Sequence, residues 1–155
     1  MKKNFWKKKK VLITGHTGFT GTWITSLLLL LKCNIVGISL KPNSKLRIDK
    51  NREVKKRVKN YYFDIREESK LKKIVIKENP DIVIHLAAQS LVGEGINFPS
   101  KTFTTNINGT INLLDSLRGC LRLKSIIIFT TDKVYRNLGK IQLRDYISEF
   151  IKKHS

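Results

Sequence analysis

The chain has 155 residues, of which 41% are hydrophobic and 28% charged, and Lys plus Arg outnumber Asp plus Glu by 31 to 12. That length suits one domain with its own packed core, and the hydrophobic fraction excludes an intrinsically disordered chain despite a formal charge of +19. Cys33 and Cys120 stand far apart, which excludes a disulfide scaffold and a paired-cysteine zinc motif and suits a reducing cytoplasm.

The positive charge gathers at Lys2, Lys3 and Lys7 to Lys10, in the stretch 41–59, and after Lys133. Such a balance promotes non-specific adhesion to polyanions and carries no information about fold. No aromatic-studded basic helix or recognised binding module accompanies it, so specific nucleic-acid binding is not expected. The uncharged stretch from Val11 to Leu31 follows the lysines as a targeting signal would. It holds three glycines, five threonines, a His and a Ser, however, and no membrane segment is expected.

Val11 to Thr14 is a short apolar run that leads directly into Gly15-His16-Thr17-Gly18-Phe19-Thr20-Gly21. Beyond the glycines, Phe19, Trp23, Leu27, Leu30 and Leu31 recur at helical spacing, so the order is strand, glycine turn, helix. Asn34 to Leu40 predicts a second strand, residues 41–60 a charged connection with room for a short helix, and Tyr61 to Phe63 a third strand ending at Asp64. From Glu67 to Asn79 the apolar positions Leu71, Ile74 and Val75 fall in a helical pattern with Glu78, and Pro80 closes it. Asp81 to Ala88 predicts a fourth strand with no solvent face, Pro99 to Leu117 a long helix with Gly109 inside it, and Ser125 to Phe129 a fifth strand.

Alternating elements, with strands apolar on both faces, predict a parallel sheet covered by helices on each side. The expectation is a doubly wound, Rossmann-like α/β domain of about five strands over residues 1–137. Residues 138–155 form a divergent tail in which Leu143, Tyr146, Ile147, Phe150 and Ile151 share one helical face, able to cover the fifth strand.

A strand that turns through glycines into a helix lets main-chain N–H groups and the helix N-terminus approach a diphosphate without Cβ atoms in the way. Gly15, Gly18 and Gly21 supply that geometry in the position expected of a dinucleotide fingerprint. The acidic residue that would grip the ribose about twenty positions later is missing, and the sequence there is Ile38-Ser39-Leu40-Lys41. Ser39 could bond a ribose hydroxyl and Lys41 could favour a 2′-phosphate, so these residues alone leave NAD and NADP open. No metal-ligand set is present.

Five segments together resemble the extended short-chain dehydrogenase/reductases. They are TGHTGFTG (14–21), FDI (63–65), HLAAQSLV (85–92), TFTTNINGTINLLDSLR (102–118) and TTDKVY (130–135). Within that group the combination of GHTGF, SLKP and Asp-Lys after the fifth strand looks most like the CDP-glucose 4,6-dehydratases. The resemblance implies NAD as cofactor. It places Gly15, Thr17, Gly18, Phe19 and Gly21 at the diphosphate, and Asp64 and Ile65 against adenine. Leu86, Ala87 and Ala88 would line the far side of the dinucleotide, and Thr105 and Asn106 would support the nicotinamide end.

The chemistry implied is an internal redox cycle on the nucleotide sugar CDP-glucose: hydride leaves C4, water is eliminated across C5 and C6, and the hydride returns to C6. Thr131 would hydrogen-bond the sugar 4-oxygen, Asp132 would protonate the departing hydroxyl, and Lys133 would handle the C5 proton. A lysine acting as base needs a lowered pKa, obtained by burial or a nearby cation.

The resemblance also implies a Tyr and, four residues later, a Lys that assist the hydride step. Four residues beyond Tyr61, Tyr62, Tyr135 and Tyr146 stand Ile65, Arg66, Gly139 and Phe150, so the pair is absent. Gly93 and Gly95 stand where the family has larger residues. The resemblance ends near Asn137, about two-fifths of the way along a family member. The expectation is a truncated or frameshifted chain, or half of a split enzyme, inactive alone and pairing with a second copy or with a complementing C-terminal half. A non-catalytic NAD-binding or nucleotide-binding module, or a fragment of another nucleotide-sugar epimerase or dehydratase, is the competing expectation.

Overall fold

A computed structural model describes residues 5–42 and 56–131. Strand β1 is Lys10–Thr14, β2 Asn34–Ser39, β3 Val58–Tyr62, β4 Ile82–His85 and β5 Ser125–Ile128. They form one parallel sheet in the order β3-β2-β1-β4-β5. The third strand starts at Val58, earlier than its Tyr-Tyr-Phe core suggests, because pairing with β2 from Ile35↔Val58 to Ser39↔Tyr62 carries polar Lys59 and Asn60 into the ladder. The fourth strand is shorter than expected: it pairs only to His85, and Leu86 to Ala88 leave the sheet.

Successive residues of a strand point to opposite faces, which divides the core in two. Val11, Ile13, Ile35, Ile82 and Ile84 pack under helix α1 (Phe19–Leu30) through Leu28 and Leu29. On the other face Leu12, Val36, Ile38 and Val83 meet Leu71, Ile74 and Val75 of α2 (Glu68–Glu78) and Leu113 and Leu117 of a later helix. Helices thus cover both faces, as the doubly wound pattern predicts.

The helical stripe of α1 turns out differently from a core stripe. Phe19, Trp23, Leu27 and Leu30 are exposed, Leu30 to 78%, while Gly21, Thr25, Leu28 and Leu29 are the buried positions. The approach of Gly21 to the preceding turn fixes the helix rotation, and the apolar stripe follows on the outer side.

Between β4 and β5 the chain forms α3 (Val92–Asn97), which the sequence analysis does not anticipate, and α4 (Pro99–Phe103). It then widens into a π-type turn at Thr104–Asn108 before α5 (Gly109–Leu117). The predicted single helix is therefore interrupted. Gly109 explains the junction: a Cβ there would lie 2.4 Å from Cδ1 of Ile65.

At the amino edge of the sheet, buried Glu78 accepts hydrogen bonds from Lys59 Nζ at 2.6 Å and from the Tyr61 hydroxyl at 2.6 Å. Lys10 Nζ donates to the Glu78 carbonyl at 2.7 Å. Buried Asp81 accepts from the Lys10 main chain at 2.8 Å and from Arg122 at 3.1 Å. Burial pushes the Glu78 carboxyl up, but the bonds from Lys59 and Tyr61 outweigh it and hold the group below its usual 4.5. Its contribution to stability is therefore present above pH 4.5 and lost as pH falls through the lower folded-state value.

Glu78→Gln should cost about 2 kcal/mol at neutral pH, since it unpairs groups built around a buried charge. Thermal melting checks this: between about pH 5 and about pH 3 the variant should lose less melting temperature than the parent.

Candidate functional site

The strand order reverses direction at β1: the chain leaves it toward β2, while β4 lies on its other side. Crevices for ligands open at the carboxyl ends of strands at such a point, here between the glycine turn after β1 and the loop after β4. Gly15 has φ +73° and donates its N–H to Ile38 O at 2.7 Å. A Cβ on Gly15 would sit 2.8 Å from Ala87 N, and one on Gly21 only 2.1 Å from Gly15 O. Both glycines are required by contact with main chain, which cannot move aside as a side chain can. Gly18 serves as N-cap of α1 at φ −70° and ψ 173° without a side-chain cap, and no acidic residue lies in the first turn. The first N–H groups of a helix have no carbonyl within it, so this end of α1 presents donors and uncompensated positive potential to the crevice.

His16 is buried, with Nε2 and Asn60 Oδ1 2.8 Å apart, and its ring fills the space above Gly37, where a Cβ would come within 2.5 Å of His16 Cγ. Thr17 Oγ1 donates to Ser39 Oγ at 3.0 Å, and Ser39 in turn donates to Leu40 O at 2.9 Å. Ser39 is only 5% exposed. It braces Thr17 and gives its own proton to its own turn, so a bond to a ribose hydroxyl would be one that Ser39 accepts.

Asp64 is half-buried and accepts from Arg66 Nη2 at 2.7 Å and from Arg66 Nε at 3.0 Å, and the Arg66 guanidinium beside it holds the carboxyl below the usual range. The Ile65 side chain is 4% exposed and packs on Gly109, so contact with adenine would come through its main chain.

Around the loop after β4, the Asn106 carboxamide clamps the main chain of Gln89, accepting from its N–H at 2.7 Å and donating to its carbonyl at 3.0 Å. Thr105 lies half-buried in the same π turn. Leu86 and Ala87 are half-buried and Ala88 is exposed. Thr14 Oγ1 accepts from Leu86 N and Ala87 N at 3.2 Å each and lies 2.5 Å from His85 Nδ1, while His85 Nε2 lies 2.9 Å from Thr110 Oγ1. Burial lowers the His85 pKa from 6.5 to about 4. The sequence alone points to no role for Thr14, His85, Gln89 or Thr110. The available signal was a polar residue closing each of two otherwise apolar strands.

Thr131 is exposed beyond the carboxyl end of β5. Asp132, Lys133 and the tail 138–155 lie outside the described residues. Of the expected site residues, Gly15, Gly21 and Ala87 are brought into contact, Gly18 caps the helix that carries exposed Phe19, Asn106 holds the loop after β4 through Gln89, Thr17 meets Ser39 and Asp64 pairs with Arg66. Among the described residues no helix is long and apolar enough to cross a membrane.

Comparison with known proteins gives a consistent result. The profile of the family described as GDP-mannose 4,6 dehydratase matches residues 12–148. The CDP-glucose 4,6-dehydratase of Salmonella typhimurium is 33% identical over 135 residues, which cover 87% of this chain and 38% of that protein. The CDP-paratose 2-epimerase of Salmonella typhi is 32% identical over 139 residues, covering 88% and 40%. The chain thus spans about two-fifths of the length of these curated relatives. Among solved structures, UDP-glucose 4-epimerase from Bifidobacterium longum, in complex with NAD+ and UDP, superposes with a TM-score of 0.70 at 26% identity. That match covers 94% of this chain and 47% of that one. A UDP-glucose-4-epimerase from Stenotrophomonas maltophila reaches a TM-score of 0.74 at 21% identity, over 94% of this chain and 48% of its own, a likeness of fold.

The His85 shift has a measurable consequence. The folded-state value lies below the unfolded one, so the unfolded chain binds more protons between about pH 6.5 and pH 4, and stability drains away as pH falls through that window. The full effect is on the order of 3 kcal/mol. Denaturant titrations at about pH 7 and about pH 4.5 should show a smaller loss for His85→Gln than for the parent.

Proposed function

The chain belongs to the GDP-mannose 4,6 dehydratase family, a group of nucleotide-sugar dehydratases and epimerases, and we propose that it carries the dinucleotide-binding part of a CDP-glucose 4,6-dehydratase. The observation that carries the cofactor half of this reading is the α1 N-terminus. Gly15 and Gly21 stand where a Cβ would lie 2.8 Å and 2.1 Å from neighbouring main chain, so only glycine permits this turn, and the helix end it leads into is free of acidic charge, which fits a dinucleotide diphosphate. The NAD+ described for the Bifidobacterium epimerase supports NAD as the cofactor. The CDP-glucose branch is supported by the 33% identity to the Salmonella dehydratase.

Bound NAD supplies reversible removal and return of a hydride. The residues of the chain bind and orient. N–H groups of the α1 first turn would meet the diphosphate, beside the turn that Thr17 and Ser39 brace. Asp64, though paired with Arg66, keeps acceptor capacity for the adenine amino group, because a carboxylate offers about four lone-pair sites. Ala87 and Ala88 give a wall without bulk. Asn106 fixes the Gln89 main chain at the nicotinamide end. Thr131 stands at the carboxyl end of β5, where its hydroxyl could meet the sugar 4-oxygen, with Asp132 and Lys133 assigned the C6 hydroxyl and the C5 proton.

The direct test is calorimetric titration of NAD into the folded chain, with binding expected at or below roughly millimolar concentration. Gly18→Asp separates binding from folding. Aspartate suits the N-cap backbone and should leave stability level or raise it by up to ~1 kcal/mol, while its charge at the diphosphate position should weaken NAD binding by more than about tenfold. Absence of NAD binding by the folded parent would sink the cofactor assignment.

A second expectation concerns turnover. These 155 residues contain no Tyr-x-x-x-Lys, and the loss of such an acid–base pair costs a factor of about 10²–10⁴. Incubation with CDP-glucose and NAD should therefore yield no detectable 4-keto product. Product at a rate typical of enzymes, about 1 s⁻¹ or more, would overturn that assignment of the missing pair.

A further inference from the structure

The buried hydroxyls around His85 fix its proton. Thr110 Oγ1 donates to Asn106 O at 2.7 Å, which uses the one hydrogen the hydroxyl has. It must then accept from His85, so His85 Nε2 carries the proton across the 2.9 Å contact. Nδ1 is left as a bare acceptor, and the Thr14 hydroxyl donates to it at 2.5 Å. The lone pairs of Thr14 remain free to accept the Leu86 and Ala87 N–H groups, both at 3.2 Å. Every hydrogen in the chain has one destination, and reversing the imidazole would strand a proton between Thr14 and His85 or a lone pair facing Thr110.

This chain of bonds runs from the end of β1 to the π turn before α5. One end holds Thr14, the residue before Gly15, and the first two residues after β4. The other end holds Asn106, whose carboxamide grips Gln89. His85 itself is only 3% exposed. We propose that His85 is a positioning residue, held as the neutral Nε2–H tautomer, that sets the Asn106–Gln89 clamp at the correct distance from the glycine turn for a dinucleotide to span both. The inference rests on the dinucleotide assignment above and adds a coupling that neither end of the site reveals alone. The adenine end, between β2 and β3, lies outside the chain of bonds.

That division provides the test, with NAD and AMP as the probes, because AMP engages only the adenine end and the turn. Thr110→Val preserves shape while removing the acceptor for His85, and His85→Leu removes both bonds. In each folded variant NAD affinity should fall about tenfold, whereas AMP affinity should stay within about twofold of the parent. His85→Gln, whose amide can still donate toward Thr110, should recover part of the NAD affinity. Equal losses for NAD and AMP, or no loss for NAD in a folded variant, would overturn the proposal. Nitrogen NMR of the parent provides a second readout that needs no ligand and survives a variant that does not fold. A protonated Nδ1 at neutral pH would overturn the proposal equally. Failure of the parent to bind NAD at all is a different result: it removes the dinucleotide assignment, and the proposal with it.

Discussion

The hydrogen bond between Thr14 and His85 joins the last residues of two neighbouring parallel strands, and most of the site depends on it. Parallel ladders hold strands together along their length, but they leave the carboxyl ends where the chain turns away in opposite directions. At those ends the main chain loses its ladder partners, and buried N–H groups need new ones. The Thr14 hydroxyl takes the Ala87 N–H, shares the Leu86 N–H with the Thr14 carbonyl, and gives its own proton to His85. That keeps the loop after β4 close enough to the glycine turn for Ala87 to rest on Gly15, a contact that tolerates no Cβ. The glycine spacing and the polar strand ends are therefore two parts of one constraint.

The doubly wound architecture was legible because its signals are periodic or local. The apolar runs of β1, β2 and β4 mark strands buried on both faces, although that of β5 lies exposed at the sheet edge, and the buried set of α2 (Leu71, Ile74, Val75, Glu78) falls on the predicted stripe. The glycine turn was legible because glycine is there for contact geometry, which leaves a direct trace in sequence. The rotation of α1 was not legible: Phe19, Trp23, Leu27 and Leu30 share one helical face, but the sheet side is decided by a backbone contact at Gly21, worth more than any apolar stripe. Nor was the π turn legible, since Thr104 to Asn108 reads as ordinary helix until the clamp on Gln89 and the packing of Gly109 on Ile65 are known. The orientations of Ser39 and Ile65 were not legible for a related reason. Sequence places a residue at the end of a strand but does not say to which side its hydroxyl or side chain turns.

Charge is distributed unevenly over the two ends of the sheet. At the amino edge, Glu78 and Asp81 are buried and matched by Lys59, Tyr61, Lys10 and Arg122. A buried carboxylate is tolerable only when its partners supply the hydrogen bonds that water would have made. At the carboxyl edge the buried polar groups are hydroxyls, amides and a neutral imidazole, and the Asp64–Arg66 pair sits at its margin. Among the described residues, the fully buried carboxylates thus lie at the amino edge, where they serve folding.

The consequence for binding follows from what the crevice lacks. The first acidic residue in the chain is Asp49, so β1, the glycine turn, α1 and β2 contain no negative side chain at all. The positive end of α1 is therefore answered by no side chain of its own first turn. Had an acid occupied the N-cap, it would have stabilised α1 by about 1 kcal/mol. Gly18 forgoes that stabilisation and leaves the end of the helix unneutralised. A site that gives up local stability to stay open and positive favours a ligand that brings its own negative charge, and a diphosphate between two nucleosides does so.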